Sequence, residues 1–453
     1  MEFAEVSLIR FGFGPGPWPG ADGPDDLLAD LAQPDRTGQR WPGATQQQAL
    51  DFVRDFRALR KDFRANPEAG KLPFRALRTQ IKDLRDDALR ITLARGVDDR
   101  FGFRERLWAF WRDHFTTRAL KLQDFPMAMA HAEALRPHIA GRFTDLLQAA
   151  ILHPMMLQYL DQSSSIGPGS VMAQRKPDRR YGLNENLGRE LIELHTLGAG
   201  ASYTQTDVRQ LTELLTGLRA TDAGVTFAPK FAEPGAETVL GIRYGGDVAH
   251  KSDIDAALQA LARHPDTAQH LARKLVVHFI GPQPNPTLVD TMAQAYLDAD
   301  TGLIPMYEVL LTHPSAQTPS FQKLRPPLDW VITALRTLGV AGTDIASTPL
   351  KQINHGVLQP LRRMGQPWRE PVGPDGWAED AAYWLAPQAL AERINWALKV
   401  PAALGGMRPD PRDVLPHALG SRPAPLLRQA VPRAESLAEG LALILVSPEV
   451  MRR

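Results

Sequence analysis

Apolar residues recur at spacings of three and four along most of this chain, the period of helices with one buried stripe. Between 45 and 66, Ala49, Phe52, Phe56, Leu59 and Phe63 share one face, and Thr45 stands where an N-cap accepts a bond from the first turn. The stretch 75–95 repeats the pattern with Leu77, Ile81, Leu84, Leu89 and Leu93. Helices are likewise predicted over 100–117, 125–140, 142–161, 184–197 and 204–218. Gly198 suits the left-handed position after the fourth of these, and Thr204 with Asp207 reads as a capping box with Asp in place of Glu. Residues 163–183 are rich in Ser, Gly, Pro and Arg and read as loop.

The period changes over 222–246. Val225–Phe227 and Thr238–Leu240 are short β-type runs separated by Pro- and Gly-bearing loop, and a small hairpin is expected there. Helices resume from 252 to 339, broken at Pro265, Pro282, Pro284, Pro286 and Pro314. The Pro-rich tail keeps helical runs near 387–398 and 434–446. The expected fold class is mainly α: a multi-helical body with a small β-hairpin insertion near residues 222–246. The chain reads as one large helical domain over 1–453, with sub-regions 1–161, 184–339 and 340–453.

Composition narrows the function classes. With 52 Lys+Arg against 51 Asp+Glu the net charge is +1, which argues against a dedicated nucleic-acid or anionic-membrane binder. With no Cys, disulfides, thiolate zinc sites, iron–sulfur clusters and thiol nucleophiles are excluded. The opening MEFAEVSLIRFGFG carries Glu2 and Glu5 and has no apolar signal core. The longest clean apolar run, Leu441–Val446, is far short of the ~18 residues that span a bilayer. These features predict cytoplasmic residence for the isolated chain and no membrane insertion.

The strongest candidate for chemistry is the run from Asn184 to Gly198. On a helix, Asn186, Glu190 and Glu193 share one face, with Arg189 at its edge and His195 opposite, on the side of Leu191. Two carboxylates beside an amide and a guanidinium can hold a divalent cation or act as acid and base. The alternative is a solvated face with Arg189 and Glu193 as an ordinary i,i+4 pair. Apolar residues at Leu187, Leu191, Ile192, Leu194 and Leu197 favour an interior helix, which predicts that both carboxylates are largely buried and face a cleft. His114, one turn from Phe110 and Trp111, reads either as a histidine in a dry pocket or as a core histidine bonded to backbone. Gly12, Gly14 and Gly16 do not follow a strand and make no dinucleotide fingerprint.

Taken together, GLNENLGRELIELHTLGAGASYTQTDVRQLTELLTG, RFGFGPGP, FWRDHF, LRPHIAGRFTDLLQAAILHPMMLQYLD, ARHPDTAQHLARKLVVHF and MGQPWREPVGPDGW occur in one order over nearly the whole chain. In this the chain resembles the bacterial domain of unknown function 1800 family. That resemblance implies a largely helical fold and assigns no reaction. It also implies a neighbouring gene product that looks like a sulfatase- or phosphatase-type hydrolase and tends to carry a twin-arginine export signal. Export of the present chain would then occur as a passenger in a folded complex.

The resemblance adds weight to Asn184, Asn186, Arg189, Glu190, Glu193, His195, His114, Arg136 and His138, where the family pattern is polar. Two positions depart from that pattern. Asp113 stands where the family usually reads Asn before His-Phe, and Ala232 stands where it often reads His before Glu-Pro-Gly. Glu233 remains available on the hairpin. The reading is an enzyme-like protein with a polar cleft built from the 184–197 helix, the His114 helix and the hairpin around Glu233. Glu190 and Glu193 would bind a divalent cation or act as acid and base, and Arg189 would orient an anionic group. The alternative is a non-catalytic partner or maturation factor of the hydrolase-like protein.

Overall fold

The computed structural model describes residues 1–175, 177–179, 181–318, 320–404 and 409–453. Lys176 and Arg180 of the expected 163–183 loop lie outside the described residues. Helices dominate, and among the described residues the only sheets are two antiparallel pairs. No helix of the described residues is long and apolar enough to cross a membrane.

Several elements form as the period predicts. The first long helix spans Gln46–Ala65, and Thr45 and Gln48 make a reciprocal capping box at its start. Thr204 and Asp207 do the same for the helix Gln205–Leu214. Gly198 is left-handed at φ 94. The predicted 75–95 helix is longer, Pro67–Asp98: Asn66 caps it through the Ala69 N–H, and Pro67 occupies the first turn where its missing donor costs nothing. The predicted 142–161 helix is two, Phe143–Ile151 and Pro154–Tyr159. Proline disfavours helical geometry at the residue before it, and His153 sits extended, with its ring Nδ1 accepting the Met155 N–H at 3.1 Å.

The mainly α fold with a small β insertion is as expected, and the insertion is more divided than one hairpin. There are two hairpins, not one: β1 (Leu218–Thr221) pairs with β2 (Gly224–Phe227), and β3 (Gly235–Val239) with β4 (Ile242–Gly246). The two predicted runs do not pair with each other. Each folds back on its own neighbour through a tight turn. The second turn carries Leu240 at φ 50 and Gly241 at φ 78, the two positive angles of a type I′ hairpin.

Apolar burial falls into two clusters whose boundary ignores chain order. One joins Leu107, Trp111 and Phe115 to Leu187, Leu191, Leu271 and Leu275. The other joins Ile81, Leu89 and Leu93 to Trp330, Leu335, Trp396 and Ile444, so early helices pack on the tail. A fully buried Leu or Phe stabilises by about 1.5–3 kcal/mol relative to exposure. The helix Phe103–His114 packs into the first cluster through Phe103, Leu107, Trp108, Phe110 and Trp111, and its last turn carries Arg112, Asp113 and His114.

Candidate functional site

The Asn186–His195 segment is not one regular α-helix. Asn186–Glu190 is α-helical and Leu191–His195 is a π-helix. The wider turn rotates the following side chains away from the positions that a 3.6-residue period assigns, and such bulges recur at functional sites. His195 is buried, while Leu194 is only half-buried.

Glu190 and Glu193 are half-buried rather than interior, because the segment ends the cluster as a short edge helix. Arg189 lies between two carboxylates: Nη1 donates to Glu193 at 3.1 Å and Nη2 to Glu185 at 2.8 Å, with Gln205 accepting a further bond at 3.0 Å. Glu190 forms no ion pair among the described residues. Burial, then Glu193 and Asp375, raise its pKa above the ordinary carboxylate range. Asn186 is exposed, and its backbone N–H is taken by the Asn184 side chain at 3.0 Å. Among the described residues no group of three or more His, Asp or Glu side chains is arranged to hold a metal ion.

Behind this rim lies a cluster of nitrogen bases. Helix Pro265–Phe279 carries His270, Lys274 and His278 one turn apart on one face, beside the buried stripe of Leu271, Leu275 and Phe279. His114 Nε2 donates to the His195 carbonyl at 3.1 Å, which leaves Nδ1 as the acceptor for the Lys274 ammonium at 3.0 Å. His270 Nε2 donates to the Leu194 carbonyl at 3.1 Å. Both carbonyls belong to the π-helical turn, so the irregular backbone orients both rings.

The electrostatics follow from burial. Desolvation, and then Lys274, hold the His114 pKa well below the usual histidine value. Desolvation takes His195 down to about 3 and His270 to about 4. These rings are neutral at physiological pH. The His195 ring nitrogens are buried without hydrogen-bond partners among the described residues, and its backbone carbonyl is what His114 bonds. Burial lowers the Lys274 pKa too, against the pull of Asp113, Glu379 and Asp375. Lys274 makes no ion pair among the described residues; its neighbour is a neutral imidazole.

A second polar chain runs deeper. Asp329 pairs with Arg106, whose Nη2 donates to His278 Nε2 at 2.8 Å. A guanidinium cannot accept, so Nε2 of His278 must, and its Nδ1–H donates to Glu379 at 2.5 Å. Lys323 closes the chain on Glu379 at 2.6 Å. Burial would raise the Glu379 pKa, but His278 and Lys323 hold it well below the ordinary range.

The segment 366–379 covers both polar regions. Its Trp377 N–H donates to the Asp113 carboxylate at 3.1 Å, and burial pushes the Asp113 pKa up to about 7. Gly376, at φ 84, approaches so closely that a Cβ there would stand 2.8 Å from an Asp113 carboxylate oxygen. Asn at this position would keep the hydrogen bond without the charge.

The structure sets His114 against His195 and Arg189 against Glu193, and it does not gather every predicted site residue. Glu233 lies elsewhere: its carboxylate accepts the Gly169 N–H at 2.8 Å, and its charged neighbour is Glu213. It is the 366–379 segment, not the hairpin around Glu233, that packs on the end of the His114 helix. Arg136 pairs with Asp35 and Glu105 in a separate structural network, and His138 is a half-buried residue of the short 3-10 turn that Arg136 begins. The sequence reading missed His270, Lys274 and His278. Their signal was an ionisable stripe at i, i+4, i+8 on a helix otherwise buried.

A family model described as "Protein of unknown function (DUF1800)" matches residues 7–452. No curated protein and no solved structure matches the chain.

Proposed function

The chain belongs to this family, and we propose that it is an enzyme-like helical protein whose reactive group is the Lys274 amine. The observation that carries this reading is the Lys274–His114 contact at 3.0 Å in a cluster of neutral imidazoles. An amine desolvated among bases and lacking a carboxylate partner is set up to lose its proton near working pH. In the free-base form it takes a proton from a substrate or from water, while His114 Nδ1 accepts one of its N–H bonds and aims its lone pair. Glu190 and Glu193 form the rim and are the pair proposed to meet a divalent cation or a cationic group. Arg189 stabilises that rim rather than meeting substrate, since Glu185, Glu193 and Gln205 occupy it.

One observation favours the alternative, a non-catalytic partner of a hydrolase-like protein. Arg189 is already paired with Glu185 and Glu193 within its own segment. Hydrolysis of 4-nitrophenyl acetate as a function of pH separates the two. The enzyme reading expects turnover above buffer that falls at least tenfold in Lys274→Met and changes its pH profile in His114→Phe. Equal rates in parent and Lys274→Met, with co-purification of the hydrolase-like protein, support the partner reading.

A further inference from the structure

Beneath the 366–379 segment lies a cavity of about 70 Å³ lined by Arg106, Arg112, Asp113, Trp368, Arg369 and Glu379, among others. One water needs about 10–15 Å³ by this measure, so the space suits a group of about five heavy atoms. Four of its lining side chains carry a buried N–H with no partner among the described residues: Arg106 Nε, Arg112 Nη1, Trp368 Nε1 and Arg369 Nε. Buried donors are nearly always satisfied, so four on one cavity call for a common acceptor.

Charge points the same way. Arg106 is neutralised by Asp329, and Glu379 by Lys323. Arg112 and Arg369 form no ion pair among the described residues. Burial and then the neighbouring Arg112 bring the Arg369 pKa down to about 9. The one other carboxylate on the wall, Asp113, is itself pushed up to about 7 by burial.

The guanidiniums are nonetheless held in place. Arg112 sits between the rings of Trp108 and Trp368, at 4.5 and 5.4 Å from their centroids. Arg369 is anchored by one bond, Nη2 to the Ala128 carbonyl at 2.7 Å, and its backbone is left-handed at φ 59, a strained conformation for a side chain of this size. Two neighbouring like charges, Arg369 buried and Arg112 half-buried, are costly without an anion between them.

We infer that this cavity binds a small oxyanion, phosphate-like or carboxylate, held by the guanidiniums of Arg112 and Arg369 and the indole N–H of Trp368. Arg forks match such groups in geometry as well as charge. The inference goes beyond the reading of Lys274 and does not rest on it.

The test is a titration of the full chain with sodium phosphate at constant ionic strength set by sodium chloride, read by thermal melting and by tryptophan fluorescence. Saturable changes in both are expected. Half-saturation should move at least tenfold higher in Arg369→Gln and Arg112→Gln, and should stay at the parent's value in Lys274→Met. Phenyl phosphate distinguishes the source: binding equal to phosphate marks the oxyanion group of a larger molecule, and binding of phosphate alone marks the free ion. A parent that responds to phosphate no more than to chloride overturns the proposal. So does Arg369→Gln binding like the parent. If the arginine variants do not fold, the parent's fluorescence titration decides alone.

Discussion

Two polar regions flank the end of the Phe103–His114 helix, and they differ in how their charges are compensated. On the outer side, Arg189 links Glu185 and Glu193 in an edge helix, with side chains between a quarter and two-fifths exposed. Every charge there except Glu190 has a partner and access to water. On the inner side, Arg106 is 0% exposed and Arg369 8%, and Arg112, Arg369 and Lys274 form no ion pair among the described residues. Paired, hydrated charges hold a fold but contribute little to it. Unpaired, desolvated ones are costly to the fold, and their retention points to chemistry.

The sharpest way to break this contrast is Arg106→Met. It leaves Asp329 buried without its cation, and a loss of about 3–5 kcal/mol in denaturant unfolding is expected. The double variant Arg106→Met with Asp329→Leu should recover much of that loss. If Arg106→Met unfolds like the parent, the inner region carries no more weight than the outer one.

Acid should act through the inner region next. His114, His131, His153 and His195 are buried with lowered pKa values, His153 and His195 at about 3. Below about pH 6.5 the unfolded chain binds protons that these rings refuse, so stability falls as pH falls. Each such ring contributes up to about 1.4 kcal/mol per pH unit. Asp99, Asp113 and Glu237, raised to about 6, 7 and 7, act in the opposite sense, adding stability as pH falls toward their unfolded values. The histidines outnumber them, so melting temperature should drop between about pH 7 and 4.5, and His195→Phe should flatten that slope. A melting temperature constant across the range contradicts the assignment of neutral rings.

The outer region should answer weakly. Arg189→Ala removes two i,i+4 pairs and should lower stability by about 0.5–1 kcal/mol in thermal unfolding, less at high salt. A loss as large as that of Arg106→Met would erase the contrast. Glu190→Gln removes a carboxylate that Glu193 and Asp375 repel. Its effect should lie within about 0.5 kcal/mol, on the stabilising side. In millimolar magnesium or manganese the parent's melting temperature should rise and that of Glu190→Gln should not. No response in either removes the divalent cation from the proposal.

The outer region was legible in the sequence because its charges are consecutive on one helix. The α-helical body was legible for the same reason, since periodicity is local. Three features were not. An inserted residue per turn at Leu191–His195 leaves no mark on apolar spacing. The Leu240–Gly241 turn lacks the Asn-Gly signal that a type I′ hairpin usually shows, so two hairpins read as one. The inner region is assembled by tertiary packing, with Arg112 and Lys274 meeting a segment near the tail, and no spacing rule connects residues so distant. Glu233 was drawn to the site by motif alone, whereas its neighbours place it against the Gly167–Gly169 turn.

The central claim is that Lys274 is a desolvated amine poised beside a neutral histidine. Its most direct test is the pH titration of lysine side chains labelled with carbon-13 at Cε, followed by nuclear magnetic resonance and assigned with Lys274→Arg. The account predicts a Lys274 midpoint clearly below the ordinary lysine value of about 10.4, falling further in His114→Phe, which removes the imidazole that accepts the ammonium's N–H and replaces it with an apolar ring. A Lys274 midpoint at or above that ordinary value, unchanged in His114→Phe, would contradict it.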